Sequence, residues 1–207
     1  MSNHQQSITK SQMPNAKSQQ PATILLHTCC APCLTYPLSQ LQKRFQVTAY
    51  FYNPNIQPDN EYSERLAETQ KFCQTKNINL KIADYQTKDF CAIIRGLEQE
   101  PEGGQRCYKC YQLRLAATAK FAKLHNYDCF TTVLSVSPHK NATWLNLLGT
   151  ILSQKYQVKY LRADFKKNNG FLTSVKLSRQ YQLKRQNYCG CLFSRRPTQN
   201  SPALPTN

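Results

Sequence analysis

From Ile24 onward the apolar residues fall into short runs separated by stretches with helical spacing. Ile24-Leu25-Leu26 reads as a strand buried on both faces, followed by a cysteine-containing turn and a helical pattern from about Pro32 to Arg44. Val47 to Tyr52 predicts a second strand, closed by Asn53-Pro54-Asn55, and Asp59 to Lys76 carries helical spacing through Tyr62, Leu66, Thr69 and Cys73. A third strand is expected near Leu80 to Ala83 and a weak helix around Lys88 to Leu97. The breaker Pro101-Glu102-Gly103-Gly104 then opens a helix running to about His125. Phe130 to Leu134 reads as a fourth strand, Thr143 to Gln154 as a helix and Val158 to Leu161 as a fifth strand.

Strands alternating with helices predict a three-layer α/β fold with a mainly parallel sheet. Such sheets bind ligands beyond the C-terminal ends of their strands, where the first cysteine loop and Ser135 to Lys140 both fall. The turn after the first strand carries His27-Thr28-Cys29-Cys30 in place of a glycine-rich phosphate cradle, which speaks against ATP use. Residues 1–21 and 197–207 are polar and bury almost nothing. They read as disordered tails around a single domain spanning 22–196.

Charge adds a partner to this picture. The 27 Lys and Arg against 11 Asp and Glu give a formal charge of +16, an excess that attracts polyanions, nucleic acid first among them. Tyrosines among the cations, as at Tyr181 to Tyr188, favour RNA because they can stack on unpaired bases. A membrane-spanning helix needs about 20 consecutive apolar residues, and no such run is present. The first twenty residues also lack the apolar core of a secretory signal, so the expected location is the cytoplasm, where structural disulfides are rare.

In that setting the ten cysteines point to metal or redox chemistry. Cys29, Cys30, Cys107 and Cys110 are candidate ligands. Four thiolates would close a four-iron cluster or satisfy tetrahedral zinc. The adjacent pair favours the larger cluster, since zinc sites usually separate their ligands, and reactive unligated thiols are a third reading. Cys33, one helical turn past Cys30, is a candidate site contact or alternative ligand, with packing or a supporting role at the start of the helix slightly preferred. Cys73, Cys91 and Cys129 occur singly in apolar patterns and are expected in the core. In Cys189-Gly190-Cys191 the intervening glycine lets two sulfurs meet in a small, strained ring of the labile kind, with Lys184 and Arg185 near enough to favour thiolate. Lys140, Lys166 and Lys167, in loops after the fourth and fifth strands, are candidate phosphate contacts, and His139 a candidate acid.

The ordered motifs His27-Thr28-Cys29-Cys30-Ala31-Pro32-Cys33, Tyr52-Asn53-Pro54-Asn55-Ile56, Glu61-Tyr62, Arg106-Cys107-Tyr108-Lys109-Cys110-Tyr111 with Arg114-Leu115, Ser135-Val136-Ser137-Pro138-His139-Lys140 and Arg185-Gln186-Asn187-Tyr188-Cys189-Gly190-Cys191 resemble the epoxyqueuosine reductase family QueH over about residues 23 to 194. The resemblance implies an adenine nucleotide alpha-hydrolase-like (HUP-like) fold. It also implies reduction of the epoxide of epoxyqueuosine at the wobble position of tRNA to queuosine, without cobalamin. Carried over by position, it implies a [4Fe-4S] cluster on Cys29, Cys30, Cys107 and Cys110, a redox-active pair at Cys189 and Cys191, an additional iron without named ligands, and an unidentified electron donor. Two other readings are a zinc-stabilised RNA-binding module without turnover and a general thiol-disulfide oxidoreductase.

Overall fold

The central strand β1 (Thr23–His27) carries Ile24, Leu25 and Leu26 with no exposed surface, which explains its unbroken apolar run. This computed structural model describes residues 21–194, so the two tails assigned above lie, apart from Pro21, outside the described residues. β1 pairs in parallel with β2 (Gln46–Phe51) on one side and with β4 (Cys129–Thr132) on the other. β3 (Asn79–Ile82) and β5 (Lys159–Tyr160) complete a five-stranded parallel sheet in the order β3-β2-β1-β4-β5. The connections run in opposite directions from β1, so the β1–β4 boundary is the topological switch point, where such sheets open a crevice.

Helices α1 (Ala31–Leu41), α2 (Asp59–Thr75), α3 (Thr87–Ile94), α4 (Gln105–Leu124), α5 (Ala142–Tyr156) and α6 (Gly170–Gln180) cover the two faces. α1 packs on α2 and α6, whereas α4 packs on α3 and α5. Pro32 sits in the first turn of α1, where a missing N–H costs no intrahelical bond. Asn141 caps α5 by accepting from the Trp144 N–H at 3.0 Å. Among the described residues no helix is long and apolar enough to cross a membrane.

The structure differs from the sequence pattern in three elements, and for two of them the cause is local. β4 stops at Thr132 because Val133–Val136 wind into a 3-10 turn whose Leu134 N–H bonds to Thr132 Oγ1 at 3.1 Å. β5 keeps only two of its four expected residues. α6 was not expected, since its buried face is made of Gly170, Ser174 and Ser178 rather than an apolar stripe. A Cβ at Gly170 would run into the Phe165 carbonyl and the Tyr36 ring on α1, so small residues set how closely α6 approaches.

Candidate metal and redox site

The first cysteine group hangs on the C-terminal end of β1. The Thr28 N–H bonds to the Tyr50 carbonyl at 2.8 Å, and Asn53 Nδ2 donates to the Thr28 carbonyl at 3.0 Å, fixing the loop as it leaves the sheet. Cys30 is the N-cap of α1 with extended backbone and spends no side-chain bond on capping. The sulfurs of Cys29, Cys30 and Cys33 lie within 4.8 Å of one another, Cys29 and Cys30 at 3.8 Å. Hydrogen bonds from Cys30 and Cys33 hold the Cys29 thiol well below the usual thiol range, helped by the charge of Arg114. The same bonding to Cys29 pushes Cys30 up and Cys33 up to about 12.

The second group enters at the start of α4. Gly104 is its N-cap, and a Cβ there would strike the Glu100 carboxylate and the Pro101 backbone. Cys107, in the first turn, accepts a hydrogen bond from the Gly103 N–H at 3.3 Å, a polarisation suited to a thiolate at a helix N-terminus. Its neighbour Arg106 is buried and ties the incoming turn through the carbonyls of Leu97, Glu98 and Glu100. It also holds the C-terminal segment through the Phe193 carbonyl at 3.3 Å. Cys110 follows one turn later, its thiol pushed up by burial, with Arg114 acting in the opposite sense.

Arg114 joins these groups. Its Nε donates to His27 Nε2 at 3.2 Å, its Nη2 to Asn53 Oδ1 at 2.6 Å, and its Nη1 lies 3.9 Å from Cys110 Sγ. His27 therefore keeps its proton on Nδ1, 2.8 Å from Thr132 Oγ1, across the switch point between β1 and β4. Burial and the neighbouring guanidinium lower the His27 pKa to about 3, so it is a neutral acceptor. Arg114 is only 3% exposed and meets no carboxylate among the described residues. A buried cation without a carboxylate is costly unless another anion lies beside it.

Cys189-Gly190-Cys191 arrives on a strapped segment. The Gln57 N–H bonds to the Gly190 carbonyl at 2.8 Å, Tyr188 OH donates to the Gln57 carbonyl at 3.0 Å, and Arg65 Nη2 donates to the Tyr188 carbonyl at 3.3 Å. Gly190 has φ +97°, and an added Cβ would lie 2.8 Å from Ile56 Cγ1, so glycine is needed for both conformation and space. Both cysteines are free thiols. A hydrogen bond from Cys191 holds Cys189 well below the usual thiol range, and bonding to Cys189 pushes Cys191 up. Ser194 Oγ sits 2.9 Å from Cys189 Sγ.

All six predicted cysteines border two adjoining cavities. A cavity of about 350 Å³ is lined by Cys29, Cys30, Cys33 and Cys189, and a smaller one by Cys107, Cys110, Cys189 and Cys191. Three residues line both: Arg114, Lys140 and Cys189. The smaller cavity also holds the buried Asn55 amide and the Tyr111 hydroxyl, which have no hydrogen-bond partner among the described residues, and Arg106, whose Nε has none there either.

Several sequence expectations change. Cys73 and Cys129 are buried as expected, but Cys91 is exposed because it faces outward on α3. Cys33 is half-buried and joins the cluster of sulfurs, the site-contact alternative left open for it. Lys140 is no surface phosphate contact: it is buried and paired with Glu102 at 3.0 Å, while Lys166 pairs with Asp164 at 3.0 Å. Lys167 is exposed. Lys184 is drawn to Glu64 at 2.7 Å, away from the thiols it was expected to favour, and Lys140 supplies the cation near Cys189. His139 stands exposed at the cavity mouth. Sequence reasoning gave no role to Arg114, Arg106 or Asn55. The available signal was a charged side chain at helical spacing from Cys110, on a face that otherwise turns inward.

Fold and site together define a doubly wound α/β protein with a buried, cation-flanked polythiol centre at its switch point. The family model of the epoxyqueuosine reductase QueH matches residues 24–197, and the chain belongs to that family of oxidoreductases. It is 43% identical over 178 residues to the epoxyqueuosine reductase QueH of Streptococcus pyogenes serotype M1, covering 83% of this chain and 70% of that one. The QueH of Staphylococcus epidermidis is 42% identical, with 83% of this chain and 75% of the relative covered. For the QueH of Thermotoga maritima the figures are 33% identity and coverage of 83% and 90%. In fold the chain is similar to the U34-tRNA thiolase NcsA from Methanococcus maripaludis, solved with its [4Fe-4S] cluster. The TM-score is 0.51 at 14% identity, covering 88% of this chain and 61% of that structure. That likeness shows the expected HUP-like fold.

Proposed function

We propose that this chain reduces the epoxide of tRNA-borne epoxyqueuosine to the alkene of queuosine, with Cys189 and Cys191 as its redox pair and Cys29, Cys30, Cys107 and Cys110 as ligands of a [4Fe-4S] cluster. The observation that carries the reading is the convergence of three thiol groups, distant in sequence, around two cavities that share Cys189.

The residues fit an anionic, sulfur-rich cofactor. Four buried thiols supply soft donors, and two of them stand at helix N-termini. The unpaired charge of Arg114 beside Cys110 calls for a nearby anion. The orphaned Asn55 amide and Tyr111 hydroxyl offer hydrogen bonds to sulfur on the same side. Such a cluster supplies one-electron chemistry at a potential set by burial and by hydrogen bonds to its sulfurs. The additional iron that the family resemblance implies is part of the same proposal, and Cys33 is the spare thiol beside it.

The larger cavity suits a flipped modified base. It has an apolar wall of Leu134, Val136 and Phe171, and Arg185 and Asn187 stand at its mouth. The exposed cations of this face and the net charge of +16 suit the tRNA backbone. A cytoplasmic location follows from that substrate. The reaction consumes two electrons and two protons and releases water. A Cys189/Cys191 dithiol going to the disulfide supplies those electrons for one turnover, and an external donor must then restore it.

The test is an anaerobic assay on tRNA bearing the epoxide, with mass spectrometry of the nucleoside and metal analysis of the same sample. Queuosine formation is expected with about four irons per chain for the cluster and about one more where the additional iron is bound. A colourless protein with one zinc and no turnover would instead make the chain a zinc-stabilised RNA-binding module.

A further inference from the structure

Resting on the reductase reading, the geometry points to a proton donor: we propose that Lys140 delivers a proton to the epoxide oxygen as its carbon–oxygen bond breaks. Among the described residues only three line both the larger cavity and the thiol-rich smaller one: Cys189, Arg114 and Lys140. Cys189 belongs to the electron-supplying pair. A guanidinium does not give up a proton in proteins, and Arg114 is already engaged by His27, Asn53 and Cys110. Of the three, Lys140 alone carries a proton it can transfer; burial opposes its charge, but the Cys189 thiolate, Tyr111 and Glu102 hold its pKa above the usual lysine range, a hold that weakens once Cys189 enters the disulfide.

Its setting is built rather than incidental. The side chain is 9% exposed, at the end of the loop that follows the 3-10 turn after β4. Its backbone N–H bonds to the Ser137 carbonyl at 3.2 Å, and Lys166 Nζ holds its carbonyl at 3.4 Å, so the loop is pinned from both sides. One ammonium proton goes to Glu102 Oε1 at 3.0 Å. No other acceptor takes the remaining two among the described residues, and the unpartnered Tyr111 hydroxyl lines the same smaller cavity. Glu102 is 37% exposed and links this buried ammonium to solvent, a route for reprotonation after each turnover.

The step balances within the chain. Cys189 thiolate and Cys191 thiol form a disulfide, releasing two electrons and one proton, while Lys140 releases the second proton and becomes the neutral amine. Both carbon–oxygen bonds of the epoxide break, the carbon–carbon double bond forms, and the oxygen leaves as water. The exposed His139 is not needed in the balance.

The experiment is an anaerobic single turnover of the prereduced, metal-loaded protein on epoxyqueuosine tRNA with no added reductant. Queuosine and the Cys189–Cys191 disulfide are quantified by mass spectrometry, and tRNA affinity and iron content are measured alongside. Lys140→Met and Lys140→Arg should each slow queuosine formation by about 10²–10⁴-fold, with tRNA affinity and iron content within about threefold of the unaltered protein. Arginine keeps the charge but cannot release the proton. A Lys140→Arg rate within about tenfold of the unaltered protein therefore overturns the proposal, as does a loss of rate matched by loss of tRNA affinity. Should Lys140→Met lose iron, the arginine variant decides alone. If the unaltered protein forms no queuosine, the reductase reading fails, a result distinct from a Lys140 variant that turns over normally.

Discussion

Arg114 Nη1 lies 3.9 Å from Cys110 Sγ, and the guanidinium has no carboxylate partner among the described residues. In the metal-free chain this buried charge is a liability offset by its bonds to His27 and Asn53, whereas beside an anionic cluster it is compensated. Arg114→Met therefore has opposite costs in the two states. The metal-free variant should melt within about 4 °C of the metal-free parent, since removal of an unpaired charge and loss of two hydrogen bonds nearly cancel. After anaerobic reconstitution it should hold less iron and lose most of the metal-dependent rise in Tm. Equal iron occupancy in variant and parent would remove the electrostatic role assigned to Arg114.

Cys33 and Cys30 are separable by substitution even though their sulfurs both lie within 4.8 Å of Cys29. The Cys33 thiol is pushed up to about 12, chiefly by its hydrogen bond to Cys29, so it acts as an S–H donor in the structure. Cys33→Ser keeps a donor in that place and should retain about four irons per chain, whereas Cys30→Ser should fall well below that occupancy. Iron analysis and the visible absorption of the two reconstituted variants check this. Comparable iron loss in both would make Cys33 a ligand.

Much of this site was legible in the chain because the elements that carry it are local. The β1 run, the turn at Cys29-Cys30 and the breaker before Cys107 each have a short-range signature, and the parallel alternation put the first loop and the Ser135–Lys140 loop on one rim. What the sequence did not reveal depends on tertiary partners. Lys140 looked like a surface cation because nothing local announces its pairing with Glu102, 38 positions away. α6 was missed because its buried Gly170, Ser174 and Ser178 carry no apolar period, although they set its approach to α1. Arg114 was visible only within a motif. Its function depends on His27 and Asn53 arriving from two different strand ends.

Gly190 tests the strapped loop that carries Cys189 and Cys191. At φ +97° a side chain costs about 1–2 kcal/mol, and an alanine Cβ would press on Ile56 Cγ1 at 2.8 Å. Gly190→Ala should loosen the bond from the Gln57 N–H to the Gly190 carbonyl without touching the four proposed ligands. The expected outcome is unchanged iron content, faster hydrogen exchange at Gln57, and at least a tenfold slower single-turnover rate. A normal rate would mean that the backbone at Gly190 does not position the pair.

Binding of tRNA should weaken steeply with salt, because each phosphate contact made by Lys or Arg releases a counterion. Arg185, exposed at the cavity mouth, donates to Ser178 Oγ at 3.1 Å and lies over the Phe171 ring at 5.4 Å, which holds its charge near the entrance. Arg185→Gln should reduce the slope of log affinity against log salt by about one and weaken binding to different tRNAs alike. Titrations at several salt concentrations measure both. An unchanged slope would place the phosphate contacts elsewhere on the basic surface.

The two thiols of the C-terminal pair should differ in their response to pH. Cys189 is held well below the usual thiol range, first by its bond from Cys191 and then by Lys140 and Ser194, so it is the member of the pair that ionises first. Cys191 is pushed up by the same bond and by burial and remains a thiol. Thiolate is the reactive form, so alkylation of Cys189 should be faster than that of Cys191 and should depend less on pH through 7 to 8.5. Alkylation of Cys191 should be far slower and should rise about tenfold per pH unit over the same interval, because its thiolate fraction grows with hydroxide. Peptide mass spectrometry after timed, anaerobic iodoacetamide pulses on the reduced protein reads the two sites separately. If Cys191 reacts first at neutral pH, the charge distribution is reversed, and Cys191 rather than Cys189 is the nucleophilic member of the pair.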